Sequence, residues 1–126
     1  MAGTIVADTI QDGAGNSTSM DNAIYGSAKA WVRVTWNGST LTSNASYNVS
    51  SVTRTGTGNY YVTFTNALTD ANYSFTGVAM NSATYVGYLL YENANLGTRT
   101  SSVCYFAVNQ GGAYGDFASA NLAVFR

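Results

Sequence analysis

Two patterns of apolar and polar positions divide the chain. Up to Ala28 the larger apolar side chains are Met1, Ile5, Val6, Ile10, Met20, Ile24 and Tyr25, set among Asp, Gly, Asn, Ser and Thr with neither helical nor strand spacing. Burying one such side chain returns about 1.5 to 3 kcal/mol, whereas ordering each backbone residue costs about 1 to 2 kcal/mol. Several backbone residues must be fixed for every apolar group gained, so residues 1–27 read as an extended N-terminal arm that another surface has to hold. From residue 28 onward short runs rich in Val, Tyr, Phe, Thr and Trp recur every 8 to 14 residues or so, each closed by Gly or Asn turn signals.

The first of these runs, AWVRVTWNGS, alternates cleanly: Ala30, Val32, Val34 and Trp36 on one face, Trp31, Arg33 and Thr35 on the other. In SYNVSSVTRTGTGNYYVTFTN the TGTGN stretch predicts a hairpin turn, with Tyr60, Val62 and Phe64 sharing a face. NYSFTGVAM, TYVGYLLYE, SVCYFAVN and NLAVFR bring the total to about seven or eight strands, and no segment carries a helical period. The expectation is an all-β fold, an antiparallel β-sandwich of jelly-roll-like type over residues 28–126, without internal repeats. TYVGYLLYE is apolar on both faces, which predicts either a strand curling between two sheets or a subunit interface. NLAVFR ends the chain inside an apolar strand, which predicts a C-terminus pinned into a sheet.

Composition narrows the function classes. Charged residues are 9% of the chain, far below the quarter or so of ordinary soluble domains, and the net charge is −1. The surface is therefore polar but hardly ionic, with no basic footprint for nucleic acid and no polybasic membrane patch. Its distribution is uneven: Asp8, Asp12 and Asp21 give the arm −3, while Lys29, Arg33, Arg54, Arg99 and Arg126 against Asp70, Glu92 and Asp116 give the body +2. An acidic arm lying on a neighbour's weakly basic surface fits this asymmetry. No apolar run approaches a membrane span, and MAGTIVADTIQ lacks the basic start and apolar centre of a signal peptide, so secretory export and glycans at Asn16, Asn37, Asn44, Asn48 and Asn72 are not expected.

Catalytic and metal-binding sets are sparse. There is no His, and the single Cys104 in SSVCYFAVN reads as a buried, inert thiol. Asp70 and Asp116 read as turn residues and Glu92 as a strand end, so no glycosidase-like carboxylate pair stands out. DTIQDGAGN lacks the ligand spacing and terminal Glu of a calcium loop. The expectation is a non-enzymatic protein with no metal and no cofactor.

The strings GSAKAWVRVTWNG, ASYNVSSVTRTGTGNYYVTFTNALTDANYS and NLAVFR together resemble a β domain recurrent in tailed-bacteriophage virion proteins, where it often forms the tip of tail fibres. TIVADTIQDGAGNSTSM is similar to the leader that commonly precedes that domain; VRVTWNGSTLTS and the strands between Thr84 and Gln110 depart from its usual pattern. The resemblance implies a non-enzymatic, usually trimeric virion component. Two readings follow from it. In one, a homotrimeric capsid cement or decoration protein on the capsid surface ties neighbouring subunits of the major capsid protein, or another virion protein, through its arm. In the other, a tail-fibre or receptor-binding module contacts host glycan or protein through Tyr-rich loops such as QGGAYGDF. A body preceded by so short an arm leaves no room for a trimerising stalk, which favours the cement reading; a host-surface lectin unrelated to virions is a third class. The arm residues expected to bind a partner are Ile5, Val6, Asp8, Ile10, Asp12 and Met20, and those expected between subunits are Trp31, Arg33, Tyr85 and Tyr88.

Overall fold

The computed structural model describes residues 3, 6–19, 23, 26–81, 87–93 and 95–126. Among them are eleven strands: β1 (Thr9–Gln11), β2 (Ser17–Ser19), β3 (Ala28–Trp36), β4 (Leu41–Tyr47), β5 (Val49–Gly56), β6 (Asn59–Phe64), β7 (Ser74–Met80), β8 (Gly87–Tyr91), β9 (Val103–Gln110), β10 (Ala113–Tyr114) and β11 (Ser119–Phe125). The body is one antiparallel sheet in the order β4-β3-β11-β7-β8-β9-β6-β5, with β10 attached to β9. Its two ends, β4 and β5, return against each other, so the sheet is nearly closed and the fold is all-β, sandwich- or barrel-like.

Alternation puts the core where the sequence predicts it. Ala30, Val32 and Val34 of β3, Tyr60, Val62 and Phe64 of β6, and Ala120, Leu122 and Val124 of β11 are all buried, joined by Cys104, Phe106 and Val108 of β9. Tyr60 stacks on Phe106 at 5.4 Å and meets Phe117 at 4.7 Å. Burial pushes the Cys104 thiol up to about 12, which keeps it protonated at neutral pH.

β8 is the strand that curls between the two layers. Gly87, Tyr88 and Leu89 pair with Met80, Ala79 and Val78 of β7, and then Leu90 and Tyr91 pair with Val108 and Ala107 of β9. A strand that changes partner midway turns a corner of the sheet, which is why its side chains are apolar in both directions.

The opposite corner lies at Asn48, the single residue between β4 and β5, which adopts φ +53°. Its side-chain amide donates to the carbonyls of Lys29 (3.0 Å) and Asn66 (3.1 Å), and its oxygen accepts the Asn66 N–H at 2.8 Å. Asn tolerates the left-handed region better than most side chains and here also joins three segments. Asn48→Ala therefore lowers stability by about 2 to 4 kcal/mol, combining backbone strain with orphaned polar groups, and denaturant melts measure this directly.

The N-terminal segment departs from the expected extended arm. β1 and β2 form a separate two-stranded hairpin with Ile10 opposite Thr18, and it shares no strand pairing with the body sheet. The carboxylate of Asp12 makes this turn: Oδ1 accepts the N–H groups of Ala14 and Asn16 (both 2.9 Å), and Oδ2 accepts the Asn16 side-chain amide at 2.8 Å. Side-chain-led turn chemistry leaves no mark in apolar periodicity. Residues 6–18 are nonetheless exposed throughout, with Val6 at 93% and Ile10 at 48%.

Candidate functional site

Side chains of β4, β3, β11, β7 and the first half of β8 that point away from the core form one continuous outer face. Register places Tyr47, Trp31, Ala123 and Thr76 in one cross-strand row, and Ala45, Arg33, Asn121, Val78 and Leu89 in the next. Ala123 in the first row and Ala45 at the edge of the second, with Gly77 beside them, leave room for an open, largely apolar trough of about 600 Å³, bordered by Trp31 and Leu89. Trp31 is 41% exposed, Val78 45% and Leu89 79%. An outward sheet face carrying Trp, Val and Leu is the kind of contiguous apolar patch that marks an interaction surface.

Gly77 helps set the floor of this trough. A Cβ there would lie 2.5 Å from the Asn121 carbonyl oxygen and equally close to the Leu90 side chain, so any larger residue would force β7 away from β11.

Among the described residues, none is a counter-ion to Arg33, which lines the trough. Arg54, Arg99 and Arg126 pair with Asp116, Glu92 and Asp70 respectively, whereas Arg33 is exposed and makes no hydrogen bond or ion pair with the described residues. On the N-terminal segment the converse holds for Asp8, just before the hairpin, which is exposed and without such a partner among the described residues, while both oxygens of Asp12 are engaged in its own turn. Hydrogen bonds from Asn16, led by its side chain, hold the Asp12 carboxyl below the ordinary carboxylate value.

A polar cluster apart from the trough is built on Asp116. Arg54 binds Asp116 in a two-pronged pair, Nε to Oδ1 at 2.9 Å and Nη2 to Oδ2 at 2.8 Å. Oδ1 also accepts the Gly58 N–H at 2.9 Å and the Tyr60 hydroxyl at 2.6 Å, and the guanidinium lies 5.0 Å from the Trp36 ring centre. Burial acts to raise the Asp116 pKa, but donation from Arg54, Gly58 and Tyr60 outweighs it and holds the carboxyl at about 2. Such a carboxylate, with three donors fixed on it, ties the β5–β6 turn to the segment entering β11. Asp70 and Glu92 are likewise bound in ion pairs, so each of the three carboxylates of the body faces its own arginine.

The residues named from sequence are thus placed unequally. Trp31 and Arg33 share the outer face, Tyr88 packs inward against the core, and Tyr85 lies outside the described residues. On β8 the side chain presented to this outer face is Leu89, opposite Val78. Val6, Asp8, Ile10 and Asp12 sit on the exposed N-terminal segment, and Ile5 and Met20 lie outside the described residues. Sequence reasoning missed Val78 and Leu89 as trough residues, although the two-faced apolarity of TYVGYLLYE was the signal for the second. It also read Asp116 as a plain turn residue; its partners Arg54 and Tyr60 lie 62 and 56 residues away, beyond any local pattern.

Because Leu89 projects outward, Leu89→Ser leaves the stability of the isolated chain within about 0.5 kcal/mol of the parent while weakening any association through this face. Thermal melts combined with sedimentation of both proteins separate the two effects. No family model, curated protein or solved structure matches this chain.

Proposed function

We propose that the chain is a non-enzymatic structural protein of the tailed-phage virion: a homotrimeric cement or decoration protein of the capsid surface, with an N-terminal arm that ties neighbouring capsid subunits together. The observation that carries this reading is the hairpin of residues 9–19, which forms outside the body sheet and leaves Val6 and Ile10 facing solvent. Apolar groups that the chain's own core leaves unused are available to a partner at assembly, and several weak arms on one oligomer raise one another's effective concentration. The apolar outer face at Trp31 and Leu89 gives the body a second contact surface, and the sequence resemblance supplies the virion setting.

A tail-fibre or receptor-binding role is the second reading. It is favoured by Tyr91 and Tyr114, two exposed tyrosines at one end of the body, with Asn93 donating to the Tyr114 hydroxyl at 2.9 Å. Aromatic faces beside amides suit a sugar ring.

Removal of residues 1–25 leaves a folded β body that no longer decorates particles, as read by co-sedimentation with purified virions. Unchanged decoration by the truncated chain contradicts the arm-based reading. Counting the chain in particles separates the two roles: many copies spread over the shell identify a cement protein, and a few at the tail identify a fibre component.

A further inference from the structure

We propose that the apolar trough on the outer sheet face receives the N-terminal hairpin of a second copy of this chain, with Asp8 of one copy on Arg33 of the next. The inference rests on the assembly reading above and names the partner of that arm.

Three observations converge on this occupant. The trough is apolar but holds one guanidinium that has no counter-ion among the described residues, so its occupant carries apolar groups and a carboxylate. The N-terminal segment carries both, with Val6 and Ile10 exposed on either side of Asp8 and no basic residue before Lys29. Finally, among the described residues Asp8 is the carboxylate left without a hydrogen bond or ion pair, matching Arg33 one for one.

The geometry also weighs against other self-contacts. In this chain residues 6–18 stand exposed rather than seated on its own trough. A two-fold stack of trough on trough, centred on Arg33, would oppose two guanidinium groups that have no counter-ion among the described residues. A hairpin on a neighbour's trough is instead a head-to-tail contact, which closes into a ring when the rotation between copies allows it. That is compatible with a trimer.

Charge exchange tests this on the purified full-length chain with no particle present, so the outcome is independent of whether virions are the biological setting. Asp8→Arg and Arg33→Glu each weaken self-association about ten-fold in sedimentation velocity, as expected for an interfacial charge pair turned to repulsion. Both positions are exposed, and circular dichroism melts of the variants check that the fold is kept. An equimolar mixture of the two single variants associates more tightly than either variant alone, because the altered arm of one meets the altered trough of the other; in a ring of three one junction between like variants remains, so the gain is partial. A mixture no tighter than its components overturns the proposal. So does rescue confined to the double variant with its mass remaining monomeric, which assigns the trough to the chain's own arm. Self-association untouched by either substitution overturns it as well, assigning the trough to a different occupant.

Discussion

Truncation after Ala118 yields a chain without a cooperative unfolding transition. The deletion removes β11, which lies between β3 and β7 and pairs with both along its whole length. Ala120, Leu122 and Val124 leave the core with it, and the inner faces of Val32 and Val34 lose their cover. Loss of the Leu and Val side chains alone forfeits about 1.5 to 3 kcal/mol each, and two ladders of backbone hydrogen bonds go as well. Domains of this kind hold about 5 to 15 kcal/mol in total, so the deletion exceeds what the rest can supply. It also opens two long apolar edges, and the truncated chain aggregates. Arg126 adds a smaller constraint, its guanidinium pairing with Asp70 and its Nε donating to Oδ1 at 2.8 Å. Far-ultraviolet circular dichroism with thermal melting checks this; a sharp two-state melt of the truncated chain contradicts it.

Asp116→Asn lowers stability by about 2 to 4 kcal/mol, because it leaves the Arg54 guanidinium without its charge partner and disturbs two further donors in a site where each side chain is only about a quarter exposed. Solvent screening at that exposure keeps the loss below that of a fully buried pair. The pH dependence has a definite sign. The Asp116 carboxyl has a folded value of about 2 against an ordinary 3.8, so its unfolded form binds protons first as pH falls. Its contribution is therefore complete above about pH 4 and disappears as pH falls through 2. Parent and variant stability curves diverge above this window and converge within it. Gly58 belongs to the same unit: its φ is +68°, and a Cβ there would sit 2.7 Å from the Gly115 nitrogen, so the backbone that donates to Asp116 accepts no side chain.

What could be read from the sequence follows from which forces leave a local trace. Ala30, Val32 and Val34 are buried and Trp31 and Arg33 exposed, as the alternation in AWVRVTWNGS requires, because a strand with one wet face records burial in every second residue. That the C-terminal segment is seated in a sheet is likewise legible in an apolar NLAVFR, whereas its place between β3 and β7 is not. In β4, by contrast, LTSNASY is exposed from Thr42 to Tyr47 and carries no period at all; it is held by pairing with β3 and by the Asn48 corner. The β1–β2 hairpin escaped for a related reason, since the Asp12 carboxylate forms its turn without a hydrophobic face. The candidate site was half visible. Arg33 and Trp31 declare themselves by alternation, but the trough depends on Ala123, Gly77, Val78 and Leu89 being brought alongside by strand order. Only the closed sheet makes them neighbours.

The central claim is that the N-terminal hairpin finds its binding surface on another molecule. Amide hydrogen exchange over residues 6–19, followed from dilute monomer to associating concentrations, tests it most directly. Exchange that is fast in dilute solution and slows as copies associate is the predicted result. Protection that is already full in the dilute monomer, and does not change with concentration, would place the hairpin on its own barrel and contradict the account.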